Sequence, residues 1–120
     1  MRKSLLIISR QPPWSGPAAR EALDIALAGG AFDLPIGMLF LDDGVFQLIA
    51  GQKPGQLQQK DLGANLQALG LFGIEQLFAC ADSVSARGLK PDALSLDELQ
   101  LLDAGQISAV IDRFDQVITL

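Results

Sequence analysis

The stretch QLFACADSVSARG, from Gln76 to Gly88, decides how the chain is expected to fold. Its first half is short and apolar, which predicts a buried strand over Gln76–Cys80. Its second half predicts a short helix, which Asp82 or Ser83 can cap and which Gly88 ends. A strand that runs directly into a helix is the repeating unit of an α/β fold.

The same alternation continues along the rest of the chain. Further strands are predicted over residues 4–9, 34–41, 94–96 and 116–120, and helices over residues 17–28, 57–69 and 104–113. Residues 45–49 are predicted to form a short helix or a turn. Gly29 and Gly30 are expected to end the first of these helices, and Asp103 to cap the last. The pattern predicts one domain, residues 1–120, folded as a three-layer α/β/α sandwich around a mostly parallel, roughly five-stranded sheet.

The composition excludes several classes of function. The 120 residues carry a formal net charge of −5 and their basic residues are scattered, so direct contact with nucleic acid is not expected. There is no histidine, which removes imidazole catalysis and His-ligated metal sites, and we expect neither a metal nor a cofactor. Hydrophobic residues make up 49%, and this excess indicates that a partner covers part of the surface.

The N-terminal residues do not have the pattern of an export signal. Arg2 and Lys3 precede a run of apolar residues that is shorter than the roughly 7–15 of a signal peptide. No other run approaches the roughly 20 apolar residues that span a bilayer. The expected location is therefore the cytoplasm, without a membrane segment.

Two loops could bind small ligands, although simpler interpretations are favoured. The loop at residues 15–18 matches neither a GxGxxG nor a Walker A motif, and its Pro17 lacks an amide donor, so we interpret it as a loop before a capped helix. Asp42 and Asp43 could ligate a hard cation, but one of them is expected to cap a helix that begins near Gly44. A small-ligand module formed by residues 14–18 and this acidic pair is the weakest functional hypothesis.

Cys80, the only cysteine, is either an apolar filler of the core or a thiol presented for chemistry. Its place at the end of a strand puts it on the sheet edge where α/β proteins usually bind ligands, and amides at a helix start favour a thiolate. Asp82 disfavours a second negative charge nearby, and Arg87 lies at the far end of the helix. The residues alone permit a reactive thiol without requiring one.

Several longer stretches are similar to those of one family: REALD (20–24), DDGVFQL (42–48), GQKP (51–54), LGLFGIEQ (69–76), CA (80–81) and RGL (87–89). On these stretches the whole chain resembles the TusC/DsrF family within the DsrE/DsrF-like group of sulfur-relay proteins. The pair DDGVFQL and GQKP is the most specific part of this resemblance.

The resemblance implies a subunit of a TusBCD-like complex, a dimer of heterotrimers with TusB-like and TusD-like chains. Such heterohexamers pass persulfide sulfur to a TusE/DsrC-like acceptor. In the Tus branch the sulfur reaches 2-thiouridine at the tRNA wobble position, through a later enzyme that handles the tRNA. In the Dsr branch, related proteins serve the oxidation of stored sulfur.

For Cys80 the resemblance implies a position and not an activity. The residue corresponds in place to the sulfur-carrying cysteine of the TusD/DsrE subunits, but the relay role is not implied for the TusC/DsrF branch. The first hypothesis is therefore a partner subunit that is not catalytic alone. The alternative is that Cys80 itself accepts a persulfide, since thiolate attack on sulfur needs no acid–base residue.

Overall fold

The computed structural model describes residues 4–12, 16–31, 35–48, 74, 76–90 and 99–120. Its strands are β1 (Leu5–Ser9), β2 (Ile36–Phe40), β3 (Gln76–Cys80), β4 (Gln100–Leu102) and β5 (Gln116–Thr119). Its α-helices are α1 (Ala18–Ala31), α2 (Ala81–Ala86) and α3 (Ala104–Arg113), and a 3-10 helix spans Asp42–Leu48. The strands and helices thus alternate as the sequence predicts.

The strands form one five-stranded sheet in the order β4-β3-β2-β1-β5. Every pairing is parallel, with Ile7 opposite Met38 on β2 and opposite Ile118 on β5. β1 therefore lies inside the sheet, and residues 6–9 of this strand are all buried. The continuous apolar run at the start of the chain is the pattern of such a strand, which is covered on both faces.

Helices cover both faces of the sheet. Alternate residues of a strand face opposite sides. On one face Ile7 packs with the buried stripe of α1, which consists of Ala19, Ala22, Leu23 and Ala26. On the other face Leu6 and Ile8 pack with Val110 of α3 and with the partly buried Ile107, Ile111 and Phe114. These layers confirm the predicted three-layer α/β sandwich.

The helix ends agree with the sequence in part. Asp103 forms a capping box with Gln106 at the start of α3, as predicted for the cap. Gly88, at φ +69°, ends α2, as predicted. The expected end of α1 at Gly29 and Gly30 was wrong, because the helix continues to Ala31.

The predictions for residues 57–69 and 94–96 lie outside the described residues. The three-residue strand β4, which pairs Leu101 with Ala79 of β3, was not predicted. Among the residues that the structure describes, no helix is both long enough and apolar enough to cross a membrane.

Gly37, the second residue of β2, makes room for the ring of Phe114. A Cβ at this position would lie 2.7 Å from Cζ of Phe114, at the C-terminal end of α3. We expect Gly37→Ala to reduce the free energy of unfolding by about 1–2 kcal/mol, because the ring must shift in a packed layer. The loss of unfolding free energy is measured by urea unfolding of the Gly37→Ala variant, the Phe114→Leu variant and the double variant. In the Phe114→Leu background, the shorter Leu side chain should remove most of the cost of the added methyl group. If the effects of the two substitutions on the free energy of unfolding were strictly additive, the contact between Gly37 and the Phe114 ring would not explain the cost.

Candidate functional site

The carboxyl ends of all five strands lie on one edge of the sheet, because every pairing is parallel. Arg10 follows β1 directly, and Asp42 and Asp43 begin the 3-10 helix one residue after the end of β2. Helix α2 follows β3 directly. This edge therefore brings Cys80 into the same region as the acidic pair.

Cys80 is the N-cap of α2, and its side chain is half-buried. Its Sγ accepts a hydrogen bond from the amide of Ser83 at 3.4 Å, and its backbone is extended. The expectation that Asp82 or Ser83 caps this helix was wrong, because the helix begins at Ala81, directly after the strand. The thiol thus has the structural role of an N-cap side chain, which Ser, Thr, Asp or Asn more often supplies.

The two carboxylates after β2 each bind an arginine. Asp42 Oδ2 lies 2.8 Å from Nε and 2.7 Å from Nη2 of Arg10, and Asp43 Oδ1 lies 2.8 Å from Nε of Arg87. The expectation that one carboxylate caps a helix beginning near Gly44 was wrong, since the 3-10 helix begins at Asp42 and both carboxylates accept from guanidinium groups. In the described part of the chain, no three His, Cys, Asp or Glu side chains are grouped so as to hold a metal.

A chain of hydrogen bonds links this acidic turn to the helix that Cys80 caps. Asp42 has a left-handed backbone, with φ 51°, and its amide donates to Oγ of the buried Ser83 at 3.0 Å. Arg87, which binds Asp43, also donates from Nη1 to the carbonyl of Ser83 at 3.2 Å. Ser83 therefore joins Cys80 to both members of the acidic pair. The strained conformation of Asp42 is held by contacts at its amide and at its carboxylate.

The rest of the DDGVFQL segment binds the end of β1. The Cα of Gly44 packs against the carbonyl group of Ser9, and there is no space for a side chain. Gln47 is buried, and its Nε2 donates to Oγ of Ser9 at 2.7 Å and to the carbonyl of Gln11 at 2.9 Å. The most specific motif of the resemblance thus joins the carboxyl ends of β1 and β2 to α2.

A shallow polar pocket of about 290 Å³ opens beside β1 on the same edge. The strand order reverses there, since β2 and β5 lie on opposite sides of β1. The pocket is lined by charged and polar residues and by the end of β5, namely Arg10, Gln11, Asp42, Asp43, Thr119 and Leu120. Because Arg10 is bound to Asp42, it is not a free positive charge for an anionic ligand. Trp14 and Ser15, which belong to the small-ligand hypothesis, lie outside the described residues.

Sequence reasoning placed Cys80 and the acidic pair on this edge but missed the residues that connect them. Arg10 was not singled out, Ser83 was considered only as a helix cap, and Arg87 was judged too far from Cys80 along the helix to matter. Arg87 does not bond the thiol in the structure; it binds Asp43 and the carbonyl of Ser83. The sequence signals for these contacts were the DDGVFQL motif and the RGL stretch, which contains Arg87.

Comparison with known proteins gives one consistent family. The sequence model of the DsrE/DsrF-like family matches residues 3–120. A "Protein TusC homolog" from Pseudomonas aeruginosa is 63% identical over 120 residues, which covers the whole of both chains. A "Protein TusC" from Klebsiella pneumoniae is 35% identical over 116 residues, which covers 97% of this chain and 98% of the relative.

A solved structure supports the same fold. The crystal structure of the ychN protein from E. coli superposes with a TM-score of 0.82, and both chains are covered completely. The sequences are 20% identical, so this likeness concerns the fold alone.

Proposed function

The chain belongs to the DsrE/DsrF-like family and, within it, to the TusC family, and from this membership we propose that it is a partner subunit of a sulfur-relay complex. The complex is a heterohexamer with TusB-like and TusD-like chains, and it passes persulfide sulfur to a TusE-like acceptor for 2-thiolation of the tRNA wobble uridine. The observation that carries the proposal is the 63% identity to a TusC homolog along the full chain.

The surroundings of Cys80 support a subunit that is not catalytic alone. The Sγ atom accepts the amide hydrogen bond of Ser83 and caps α2. Arg10 and Arg87, the arginines that the structure describes at this edge, are both bound to carboxylates, so neither is free to stabilise a thiolate at Cys80. Asp82, two residues along the chain, is exposed and adds negative charge.

The charge of the chain supports a role away from the tRNA itself. A net charge of −5 disfavours contact with phosphates, so the RNA is handled by another component of the pathway. The proposed location is the cytoplasm.

The second candidate is that Cys80 carries the sulfur, and its half-buried position at a strand end favours it. In that mechanism the Cys80 thiolate attacks the outer sulfur of a donor persulfide. A new S–S bond forms at Cys80, the old S–S bond breaks, and the donor leaves as a thiolate. A further alternative is that the complex serves sulfur oxidation, in which case dissimilatory sulfite reductase genes should lie beside this one.

The experiment is to co-express this chain with TusB-like and TusD-like chains and to compare the wild type with Cys80→Ser. We expect both versions to co-purify as one complex and to transfer sulfur equally to the TusE-like acceptor. Serine is a good helix N-cap, so this variant removes the thiol without removing the cap. Persulfide on the acceptor is measured by mass spectrometry, and 2-thiouridine is measured in the tRNA.

Serine in place of the relay cysteine of the TusD-like chain is the matched control and should abolish transfer. Loss of transfer in Cys80→Ser, with the complex intact, would establish the second candidate. A chain that does not join the complex would refute the first.

A further inference from the structure

The outer strand β5 is open on one side. It pairs with β1 and stands at the end of the strand order. All four of its residues are exposed, including Val117 at 41% and Ile118 at 38%. Charged residues and proline usually protect an edge strand from pairing with another chain. The sequence Gln-Val-Ile-Thr contains neither.

The hydrogen bonds to β1 show which groups of β5 point outward. Gln116 donates to the carbonyl of Ser4 at 3.0 Å, and Leu120 donates to the carbonyl of Ile8 at 2.9 Å. Alternate residues of a strand direct their backbone groups to the same side. The N–H and C=O groups of Val117 and Thr119 therefore point away from the sheet, and no hydrogen bond in the described part of the chain reaches them.

We propose that this edge binds a second copy of the chain, through antiparallel pairing of β5 with the partner's β5 about a two-fold axis. An antiparallel pair forms its hydrogen bonds between residues whose backbone groups both point outward. If Val117 pairs with the partner's Thr119, every outward group of both strands is satisfied. Ile118 then faces the partner's Ile118 in a non-hydrogen-bonded position, where side chains approach most closely.

The other two-fold register is less favourable. If the two-fold axis passed beside Val117 instead of Ile118, the backbone groups of Asp115 would have to hydrogen-bond to those of the partner's Thr119. The amide of Asp115 already donates to Oγ of Ser4 at 3.0 Å, and the amide of Ser4 donates to Oδ2 of Asp115 at 2.8 Å. The Asp115 amide is therefore occupied, and the register centred on Ile118 is selected.

The occupant is a second copy because the edge is complementary to itself. No charged residue lies between positions 116 and 120, so the antiparallel pair opposes no like charges. A two-fold contact also closes on itself and does not propagate into a fibre. The product is a continuous sheet that joins two five-stranded sheets.

The test is sedimentation equilibrium on the isolated full chain. We expect the wild type to reach twice its monomer mass of 12.8 kDa as its concentration rises. Ile118→Lys should leave a monomer at every concentration, since two ammonium groups would face each other across the axis. Ile25→Lys is the matched control, because Ile25 is comparably exposed at 36% but lies on α1, and it should dimerise like the wild type.

Val117→Pro tests the hydrogen bonds separately. It removes an N–H that points outward and leaves the bonds to β1, as an edge strand tolerates. Two hydrogen bonds are lost per dimer, so the dissociation constant should rise roughly 30-fold. Circular dichroism confirms that each variant is folded.

Amide exchange identifies the interface. In the wild-type dimer the amides of Val117 and Thr119 should exchange slowly, and in Ile118→Lys they should exchange fast. A wild-type chain that stays monomeric overturns the proposal. A dimer in which these two amides exchange fast, or which survives Ile118→Lys, also overturns it. The experiment uses no TusB-like or TusD-like chain, so its failure leaves the proposed function untouched.

Discussion

Replacing Gly44 by alanine is expected to destabilise the protein by about 3 kcal/mol, a loss large enough to unfold a marginal domain. A Cβ at this position would collide with the carbonyl oxygen of Ser9 and would lie 2.8 Å from its carbonyl carbon and 3.2 Å from Cα of Arg10. All three atoms belong to the backbone of the β1 end. Because Ser9 lies in a central strand, that backbone cannot move without breaking its pairing with β2.

Urea unfolding followed by circular dichroism measures this loss, and two other glycines serve as controls. Gly105→Ala lies in the first turn of α3, where an added Cβ meets nothing nearer than 3.5 Å, so it should stabilise the helix by up to about 1 kcal/mol. Gly88→Ala has open space but a φ of +69°, so it should cost about 1–2 kcal/mol. If Gly44→Ala were no worse than Gly88→Ala, the close approach to Ser9 would not be the reason for this glycine.

This result would give the DDGVFQL motif a structural explanation. Asp42 and Asp43 bind arginines from two other parts of the chain, Gly44 permits close approach to β1, and Gln47 bonds the end of that strand. None of these roles requires a substrate. The motif therefore holds the carboxyl edge of the sheet together, which is what the proposed role as a partner subunit would require.

The elements of the fold could be predicted because they depend on local patterns. The apolar run of β1, the helical spacing of Ala19, Ala22 and Leu23, and the capping box at Asp103 each act within a few residues. Hydrophobic periodicity and capping chemistry report such features directly.

The elements that were missed depend on distant contacts. Glycine inside a helix costs about 1 kcal/mol, and α1 continues through Gly29 and Gly30 because its packed face outweighs that cost. The strand β4 has three residues, too few for a visible alternation, and is held by pairing with β3. Such elements are set by tertiary packing, which local propensity does not report.

The position of Cys80 and the acidic pair at one sheet edge was predictable, but the contacts that connect these residues were not. The rule that function lies at the carboxyl ends of parallel strands placed Cys80 and the acidic pair on one edge. The pairs Arg10–Asp42 and Arg87–Asp43 span 32 and 44 positions of sequence. No local pattern distinguishes an aspartate that caps a helix from one that binds an arginine so far away.

Replacing Gln47 by leucine is expected to cost about 2–3 kcal/mol, because the change leaves buried polar groups without partners. Gln47 is 1% exposed and Ser9 is also 1% exposed, so water cannot replace the lost bond between Nε2 and Oγ. The carbonyl of Gln11 loses a donor as well, but Gln11 is exposed and water can reach it. Part of the cost is offset because Oε1 of Gln47 is buried without a hydrogen-bond partner, and leucine removes it.

The double variant Ser9→Ala/Gln47→Leu separates the lost bond from the change of shape. When both partners become apolar, no buried hydroxyl is left unsatisfied, so the double variant should be more stable than Gln47→Leu alone by about 1 kcal/mol. Urea unfolding of the wild type, both single variants and the double variant completes the cycle. A double variant as unstable as the sum of the singles would mean that the Ser9–Gln47 bond contributes nothing, and that Gln47 holds the end of β1 by packing alone.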